Sequence, residues 1–420
     1  MTFTPSTDAP RIAVVGGGAA GLMAAGRATE LGARVTVFEH MPKTALKLGI
    51  TGKGRCNVTN NCTKEEFLGE VVTNPRFLFS AIGRFSPADT MSFFEGCGVP
   101  LKTERGRRVF PASDKASDIV AALRHYAKGA AVIHENVTRI VAENGRISGV
   151  VTDHFYPFDA VILATGGASY PRTGSDGSGY RLAAALGHTV TPLIPSLVPL
   201  ASDDPICPAL QGVSLKNIGI EIRSRGKSVY RDFGEMLFTH FGVSGPTILS
   251  ASSHMRGCDF SDTTLFIDLK PALDEQKLDA RLLADFRTYA NKDFVNELGQ
   301  LLPQKMILPF AERICIDPHK KVHDITKAER AALRLALKSF TVPISGFRPL
   351  QDAIVTAGGI SVREVTPGTM ESRLVGGLFF AGEVLDLDAY TGGYNLQIAF
   401  STARLAAEHA VLSSQGDAHV

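Results

Sequence analysis

Glycines and an acid near the start of the chain have the types and the spacing of a dinucleotide-binding site. Residues 11–39 read RIAVVGGGAAGLMAAGRATELGARVTVFE, in which two apolar runs flank a glycine turn and a helical pattern of small residues. Gly16 permits the turn, Gly18 lets the backbone approach a pyrophosphate, and Gly21 lets the helix pack close to the first strand. Amides at the helix N-terminus favour the anion, and Glu39 can accept hydrogen bonds from a ribose. The predicted contacts in this stretch are Gly16, Gly18, Ala19, Ala20, Gly21, Glu39 and His40.

A second group of glycines and an acid lies near the other end of the chain. Residues 377–383 read GLFFAGE, an apolar strand whose end would place Glu383 against a ribityl chain. This second pattern favours FAD over NAD, because an NAD dehydrogenase needs only the first fingerprint. Residues 391–397, TGGYNLQ, open the last predicted helix, whose N-terminal amides would stabilise the negative charge of reduced flavin. The predicted contacts here are Gly382, Glu383, Gly392, Gly393, Tyr394, Asn395 and Leu396.

Further motifs resemble those of a known family. Residues 51–60, TGKGRCNVTN, resemble the GRCN motif of the HI0933-like family of bacterial FAD-dependent flavoproteins, which includes aminoacetone oxidase-like and bile-acid reductase-like members. Lys53 stands where the family more often has Asn or Gly, and it leaves the glycine turns intact. The other matching segments span nearly the whole chain: RVFPASDKAS at 108–117, ATGG at 164–167, HFGVSGP at 240–246, TAGGI at 356–360 and the stretch from Phe380 to Gln397.

The resemblance implies which segments surround the cofactor. It places the GRCN loop beside the flavin, where Arg55 could pair with phosphate or substrate and Asn57 offers both a donor and an acceptor. The turn at residues 173–180, TGSDGSGY, resembles the turn that holds the adenine side of FAD in fumarate reductase-type flavoproteins. The FAD is expected to be bound without a covalent link. The remaining predicted contacts are Lys47, Gly54, Arg55, Cys56, Asn57, Val137, Ala164, Thr165, Gly166, Gly167 and Gly177.

The elements around these motifs predict an α/β protein with insertions. Residues 131–140 and 146–155 predict two strands with an Asn-Gly hairpin turn between them. The proline-rich, alternating stretch after residue 190 predicts a mostly β unit. Residues 274–340 have a helical period, and Thr326 with Glu329 predicts a capping box for the last of these helices. The resemblance implies a two-part, Rossmann-type FAD-binding domain, similar to fumarate reductase and glutathione reductase, that is interrupted by an inserted β-barrel domain and a small helical domain. The predicted segments are 1–190 and 353–420 for the FAD-binding domain, 191–273 and 337–352 for the barrel, and 274–336 for the helical domain.

Three side chains are candidates for the catalytic step: Cys56, His240 and Tyr390. Cys56 is either a redox-active thiol or a packing residue in contact with the flavin. His240 is either a general acid or a structural histidine at a turn. Tyr390 and Tyr394 flank the predicted flavin glycines, and either could donate a proton. The six cysteines show no CxxC pair and no metal-ligand spacing, so no metal site is predicted.

These motifs predict hydride transfer between a small organic substrate and flavin N5. The first hypothesis is a reductase of activated C=C bonds. NAD(P)H would then dock transiently as the electron donor, because the sequence contains one complete dinucleotide fingerprint. The alternatives are an oxidase or dehydrogenase of a small amine, a flavoprotein that binds or modifies tRNA, and a non-catalytic FAD-binding redox sensor.

Charge and hydropathy narrow the expected partners and location. The formal net charge is +2, and the basic clusters at residues 105–108 and 319–321 are short, so no nucleic-acid partner is expected. No apolar run approaches the roughly 20 residues that span a bilayer, and the N-terminal residues lack the pattern of a secretory signal. We expect a cytoplasmic protein with no membrane partner that acts on a small molecule. The sequence favours no particular oligomeric state.

Overall fold

The computed structural model describes residues 9–415, which form two compact units. The first unit comprises the described residues up to Ser196 and from Ala353 onward, and the second is Leu197–Asp352. The second unit is therefore an insertion between two segments of the first. The insertion predicted from the sequence, residues 191–352, begins a few residues earlier and ends at the same position.

The strands of the two units are as follows in chain order: β1 (Arg11–Val15), β2 (Arg34–Phe38), β3 (Thr59–Asn60), β4 (Leu101–Glu104), β5 (Arg108–Pro111), β6 (Ala131–Ile133), β7 (Arg139–Glu143), β8 (Arg146–Val151), β9 (Phe155–Pro157), β10 (Ala160–Leu163), β11 (Ile194–Ser196), β12 (Leu200–Ala201), β13 (Ser214–Ser224), β14 (Lys227–Thr239), β15 (Gly242–Ser244), β16 (Thr263–Asp268), β17 (Phe340–Pro343), β18 (Gly346–Phe347), β19 (Val355–Ala357) and β20 (Leu378–Phe380).

The α-helices are as follows in chain order: α1 (Ala19–Glu30), α2 (Leu46–Gly54), α3 (Lys64–Gly69), α4 (Phe79–Arg84), α5 (Pro87–Gly96), α6 (Ala116–Tyr126), α7 (Ser178–Ala184), α8 (Ile206–Ala209), α9 (Pro246–Ser252), α10 (Glu275–Thr288), α11 (Phe294–Leu298), α12 (Ile307–Arg313), α13 (Lys327–Lys338) and α14 (Tyr394–Gln415). Within the described part of the chain, none of them combines the length and the apolar character that a bilayer crossing needs.

The first unit is built on a parallel sheet in the order β20–β10–β1–β2–β6. All residues of β10 and all but the first of β1 are buried, as expected for parallel strands covered on both faces. Helices α1 and α14 pack against each other and both contact β10. Because parallel strands end at the same edge, the glycine turns after β1, β10 and β20 meet there. This arrangement confirms the predicted Rossmann-type α/β fold.

One strand predicted from the sequence is wrong. Residues 131–140 were expected to form a single strand, but β6 ends at Ile133 and belongs to the parallel sheet, whereas β7 begins at Arg139 in a separate antiparallel sheet with β8 and β9. The Asn-Gly turn between β7 and β8 is confirmed. Asn144 has a φ of 52° and Gly145 a φ of 77°, as a two-residue hairpin turn of the primed type requires.

The second unit contains an antiparallel sheet in the order β17–β16–β13–β14–β15–β12–β18. Its end strands, β17 and β18, are joined by only Ile344 and Ser345, so the sheet must curl until its two ends approach each other. A closed barrel would also require these end strands to pair, and the barrel stays a prediction. Helices α10 to α13 bring apolar side chains to the core of this unit. The predicted capping box of Thr326 and Glu329 is confirmed at the start of α13.

Candidate functional site

The turn after β1 leaves open space at one glycine and none at its neighbours. A Cβ built on Gly16 would lie 2.6 Å from the Ala164 oxygen, and one on Gly21 would lie 1.8 Å from the Gly16 oxygen. A Cβ on Gly18 would meet nothing within 4 Å. Gly18 is also the N-cap of α1, where no side chain caps the free amides and no acid lies in the first turn. The helix N-terminus therefore offers uncapped amides and room for an anion such as a pyrophosphate.

Glu39, directly after β2, is buried and held in one orientation by the backbone. Its Oε2 accepts a hydrogen bond from the Gly17 amide (2.9 Å), and its Oε1 accepts one from the Met41 amide (2.9 Å). An ionised carboxylate has about four acceptor sites, so two remain for the hydroxyls of a ribose. The Nδ1 of His40 lies 3.8 Å from Glu39 Oε1, which puts both predicted residues at the same end of the turn.

The TGSDGSGY segment packs against the same end. A Cβ built on Gly174 would lie 2.8 Å from Cγ of Met41 and 3.5 Å from the His40 ring. The Gly177 amide donates to the Gly167 oxygen at 3.1 Å, which ties the segment to the loop after β10. Val137 is buried in the loop after β6. The two segments that were predicted to bind the adenosine half of the cofactor, at Glu39 and at residues 173–180, therefore lie side by side.

Glu383, directly after β20 and Gly382, is the centre of an ionic cluster. Its carboxylate pairs with Lys47 (Nζ to Oε2, 2.8 Å) and accepts hydrogen bonds from the Thr356 amide (2.9 Å) and the Ser169 hydroxyl (3.3 Å). Lys47 Nζ also lies 3.1 Å from Oε1, so three hydrogen bonds fall on Oε1, whereas Lys47 is the only described residue within hydrogen-bonding distance of Oε2. Oε2 therefore keeps an acceptor site that a ribityl hydroxyl could use.

The glycines that open α14 are fixed by β3. A Cβ built on Gly393 would lie 2.4 Å from the Thr59 carbonyl, so only glycine allows this approach. The Asn60 amide donates to the Gly392 oxygen (3.2 Å). Gln397, one turn into α14, accepts from the Thr59 hydroxyl (2.6 Å). The helix N-terminus is thus held rigidly with its amides available to a partial negative charge.

Two side chains of this turn are occupied within the protein. The Asn395 side chain accepts from the Ala389 amide (3.0 Å) and donates to the Ala389 oxygen (2.8 Å), which closes the loop before α14. Tyr394 is buried, and its ring packs edge-on against Phe67 at 5.6 Å. These contacts leave the backbone amides of Tyr394, Asn395 and Leu396 as the groups that can face a cofactor.

The GRCN loop departs from helical geometry and carries a partnered arginine. Gly52 and Lys53 at the end of α2 both have positive φ angles (57° and 58°). Arg55 was predicted as a partner for phosphate or substrate, but its guanidinium pairs with Glu104 and Asp114. It also lies 4.2 Å from the centre of the Phe110 ring. Its charge is therefore balanced inside the protein.

Cys56 has the surroundings of a packing residue. It is fully buried, and burial raises the pKa of its thiol to about 12. A thiolate nucleophile needs a pKa near or below the ambient pH, so this environment disfavours a redox or nucleophilic role. It favours the alternative of a buried residue beside the cofactor.

The other two catalytic candidates lie in different units. Tyr390 is half-buried in the first unit, two residues before Gly392, and its amide donates to the Glu70 oxygen. His240 is exposed in the second unit, between β14 and β15, with its ring 5.0 Å from that of Phe241. Both proton-donor roles stay predictions. Among residues 9–415, no group of three His, Cys, Asp or Glu side chains comes together as a metal site.

Unpartnered buried polar atoms fit a bound dinucleotide. Asn57 Oδ1, Thr165 Oγ1 and Ser175 Oγ are buried and have no hydrogen-bond partner among the described residues. Such atoms are costly unless a ligand or water satisfies them. Asn57 lies in the GRCN loop, and the other two lie in the segments near the adenosine end. Together with the open space at Gly18, they match an extended FAD.

Several residues that position the site were missed from sequence: Asn60, Ser169, Ser175 and Thr356. Each stands within or beside a glycine-rich motif that was recognised, and that position is the only signal the sequence carries. The roles of Asn60, Ser169 and Thr356 depend on partners far away in the chain, and Ser175 has a buried hydroxyl with no partner among the described residues.

The chain is similar to a known family and to curated proteins over nearly its whole length. A family model described as the HI0933-like protein Rossmann domain matches residues 10–409. The 3-dehydro-bile acid delta(4,6)-reductase of Clostridium scindens is 31% identical, over 94% of this chain and 98% of that protein. The ribosomal RNA dihydrouridine synthase of Escherichia coli is 29% identical, over 93% of this chain and 95% of that protein. The Haemophilus influenzae protein of the same name is 31% identical, over 93% and 96%.

Solved structures share the fold at low identity. A flavocytochrome c3 fumarate reductase matches with a TM-score of 0.52 and 16% identity, covering 98% of this chain and 79% of that one. The 3-ketosteroid-delta4-(5alpha)-dehydrogenase of Rhodococcus jostii matches with a TM-score of 0.51 and 16% identity, covering 98% of each chain.

Proposed function

The chain belongs to the HI0933-like family and is an FAD-dependent oxidoreductase, and from that premise we propose that it reduces a carbon–carbon double bond conjugated to a carbonyl group. FAD that NAD(P)H has first reduced would supply the hydride, and a proton from the protein or from water would complete the reduction and leave oxidised FAD. The observation that carries the proposal is the N-terminus of α14, which Thr59 and Asn60 hold in place. Its positive end would stabilise the negative charge that a flavin carries once it is reduced, and the names of the curated relatives support the reductive direction.

The names of the curated relatives support the same bond type. A delta(4,6)-reductase of a 3-dehydro bile acid acts on double bonds that are conjugated with a ketone. A dihydrouridine synthase saturates the ring double bond of uracil, which is conjugated with a carbonyl group. In both, the carbonyl can take up negative charge as the hydride arrives. We infer that this electronic feature, rather than the shape of one substrate, is what the chain requires.

The first unit assigns distinct tasks to its residues in this proposal. The uncapped amides after Gly18 would hold the pyrophosphate, Glu39 the adenosine ribose, and Glu383 the ribityl chain. Asn57 offers its unpartnered oxygen to the flavin end. Tyr390, beside the glycine turn, is the proposed proton donor of this unit, with His240 as the alternative. We propose NAD(P)H as the donor of electrons to the flavin. It would dock transiently, because the sequence contains no second complete dinucleotide fingerprint that would hold it.

The proposal is tested with the purified protein under anaerobic conditions. Its visible spectrum should show bound flavin, and denaturation should release FAD. Mixing with NADH or NADPH should bleach that spectrum, and a steroid 4-en-3-one should then restore it. A protein that is not bleached, but forms peroxide from aminoacetone in air, would be an amine oxidase instead. A reduced flavin that is stable in air and reacts with neither the steroid nor the amine would favour a non-catalytic redox sensor.

A uracil base in RNA is a second candidate substrate, favoured by two curated relatives that are named ribosomal RNA dihydrouridine synthases. In the same experiment, the reduced protein would be mixed with ribosomal RNA instead of the steroid. Reoxidation that yields dihydrouridine, measured by mass spectrometry of nucleosides, would select this candidate over the steroid.

A further inference from the structure

A basic hairpin tip lies next to the glycine turn of the proposed flavin site. This tip is residues 105–108, Arg-Gly-Arg-Arg: residues 105–107 connect β4 to β5, Arg108 is the first residue of β5, and all four are exposed. Asn60 joins the two features, because its Nδ2 donates to the Gly106 oxygen (3.0 Å) and to the Gly392 oxygen (3.2 Å). One side-chain nitrogen therefore contacts both the tip and the turn that opens α14.

The tip has a fixed backbone. Strand β5 pairs with β3, and the Asn61 amide donates to the Arg107 oxygen at 2.8 Å. Arg107 is further held by an ion pair with Glu66 (Nη1 to Oε2, 2.7 Å), and Glu66 is itself part of the capping box of α3. The backbone from which Arg105 and Arg108 project is thus fixed, so binding does not have to order this connection.

Two of the three arginines carry charge that the protein does not balance. No carboxylate within residues 9–415 pairs with Arg105 or Arg108. The only hydrogen bond that the described residues give their side chains runs from Arg108 Nε to the Arg105 oxygen at 3.1 Å. The other basic cluster of the chain behaves differently. Lys320 pairs with Glu329 (2.8 Å) and Lys321 with Asp293 (2.7 Å), so that cluster is neutralised.

We propose that Arg105 and Arg108 bind phosphate groups of the molecule that is presented to the flavin. A guanidinium fork matches two phosphate oxygens at once, and an exposed, unbalanced pair of arginines beside a reaction centre is the pattern that recognises them. This inference rests on the proposed function, because it takes the turn at Gly392 as the part of the site that binds the flavin ring. The phosphate could come from an RNA backbone that flanks a uracil base, or from the 2′-phosphate of NADPH.

The expectation of no nucleic-acid partner followed from a net charge of +2, which averages over both units, and from the shortness of the basic clusters, one of which forms this tip. Affinity for a polyanion depends on the local cluster that meets it, and the tip is such a cluster.

The test compares two double variants that each remove two positive charges. Arg105→Gln with Arg108→Gln alters the tip, and Lys320→Gln with Lys321→Gln alters the neutralised cluster as a control. FAD content and thermal unfolding are measured first, so that a folding defect is recognised. Binding of a fluorescent, uridine-rich single-stranded RNA is then followed by anisotropy over a series of salt concentrations.

For an RNA source, the tip variant should bind at least about tenfold more weakly. The salt slope should also fall by about 0.7 for each phosphate contact that is lost, and the control should match the unmodified protein. For an NADPH source, the tip variant should lose about tenfold in its preference for NADPH over NADH during anaerobic bleaching. A tip variant that equals the control in both arms overturns the proposal. Anisotropy needs no turnover, so loss of binding at the tip would stand even if no double bond is ever reduced.

Discussion

Lys47 and Glu383 form an ion pair across the first unit, with Nζ 2.8 Å from Oε2, although the residues are 336 positions apart. The same carboxylate accepts hydrogen bonds from the Ser169 hydroxyl and the Thr356 amide. One side chain thus joins α2, the loop after β10, β19 and the end of β20. Because each of these segments carries a motif of the proposed FAD site, the carboxylate organises the site as well as contacting the ligand.

Replacing Glu383 by Ala should therefore weaken both FAD binding and the fold. The change leaves the Lys47 ammonium without its carboxylate and the Thr356 amide without its acceptor, and such an orphaned group costs about 1–3 kcal/mol. We expect FAD affinity to fall at least about tenfold and the unfolding temperature to drop. Released flavin and thermal denaturation measure the two effects. Glu95→Ala, at an exposed glutamate of α5, is the matched control, and full FAD occupancy in the Glu383 variant would show that the assignment is wrong.

Two alanine substitutions in one turn should have opposite consequences. Gly18→Ala adds a Cβ where the protein has nothing within 4 Å, at an ordinary φ of −80°, so the FAD-free protein should keep its stability. The methyl group would enter the space proposed for the pyrophosphate, so FAD binding should weaken. Gly21→Ala places its Cβ 1.8 Å from the Gly16 oxygen, so the turn must distort and the fold should lose several kcal/mol.

The measurement for this pair is thermal unfolding with and without added FAD. Gly18→Ala should match the unmodified protein without FAD and lack most of the rise that FAD gives. Gly21→Ala should unfold early in both conditions. If Gly18→Ala keeps the full stabilisation by FAD, the open space beside that glycine is not the pyrophosphate site.

The sequence predicted backbone requirements well. Gly16 has a φ of 103°, and Gly393 lies so close to the Thr59 carbonyl that a Cβ would clash with it. In both cases only glycine fits, so the residue type alone indicates the backbone conformation or the close approach. Helix α14 could be predicted equally well, because small and apolar residues recur over a long stretch. Such signals are local, so one sequence suffices to read them.

Partners that come from distant segments could not be predicted. Arg55 was expected to pair with phosphate or substrate, and that stays a prediction. Its guanidinium pairs with Glu104 and Asp114, and nothing near Arg55 in the sequence indicates those partners. The strand expected at residues 131–140 failed for a related reason. Its apolar pattern continues, but the chain changes sheets after Ile133, and only the tertiary pairing determines that break.

Cys56 should prove chemically inert in the folded protein. Burial raises the pKa of its thiol to about 12, so thiolate is scarce at neutral pH. Iodoacetamide at pH 8 should label the exposed Cys315 quickly and Cys56 only after unfolding. Cys56→Ala should retain bound FAD and turnover. Rapid labelling of Cys56 in the native state, or loss of turnover with FAD still bound, would restore the catalytic hypothesis for this thiol.

Glu297 of α11 should make the stability of the second unit depend on pH. Its side chain is fully buried, neither carboxylate oxygen has a hydrogen-bond partner among the described residues, and burial raises its pKa from 4.5 to about 7, with Asp285 adding to the shift and Arg281 opposing it. The folded state therefore holds this proton more tightly than the unfolded state. Stability from this group is full below about pH 4.5 and is lost as the pH rises to about 7, by up to about 3 kcal/mol.

Glu297→Gln removes the titration while keeping the shape of the side chain. The unfolding temperature of the unmodified protein should fall between pH 5 and pH 8 by more than that of the variant, so the difference between them should change with pH. Glu312→Gln, at an exposed glutamate of α12, should follow the unmodified protein throughout. Because the comparison uses the slope with pH, a constant offset from the buried amide does not affect it. If the unfolding temperatures of the Glu297 variant and the unmodified protein change in parallel with pH, the pKa of this carboxyl group is the same in the folded and unfolded states. Buried water that hydrogen-bonds to the carboxylate would then be the explanation.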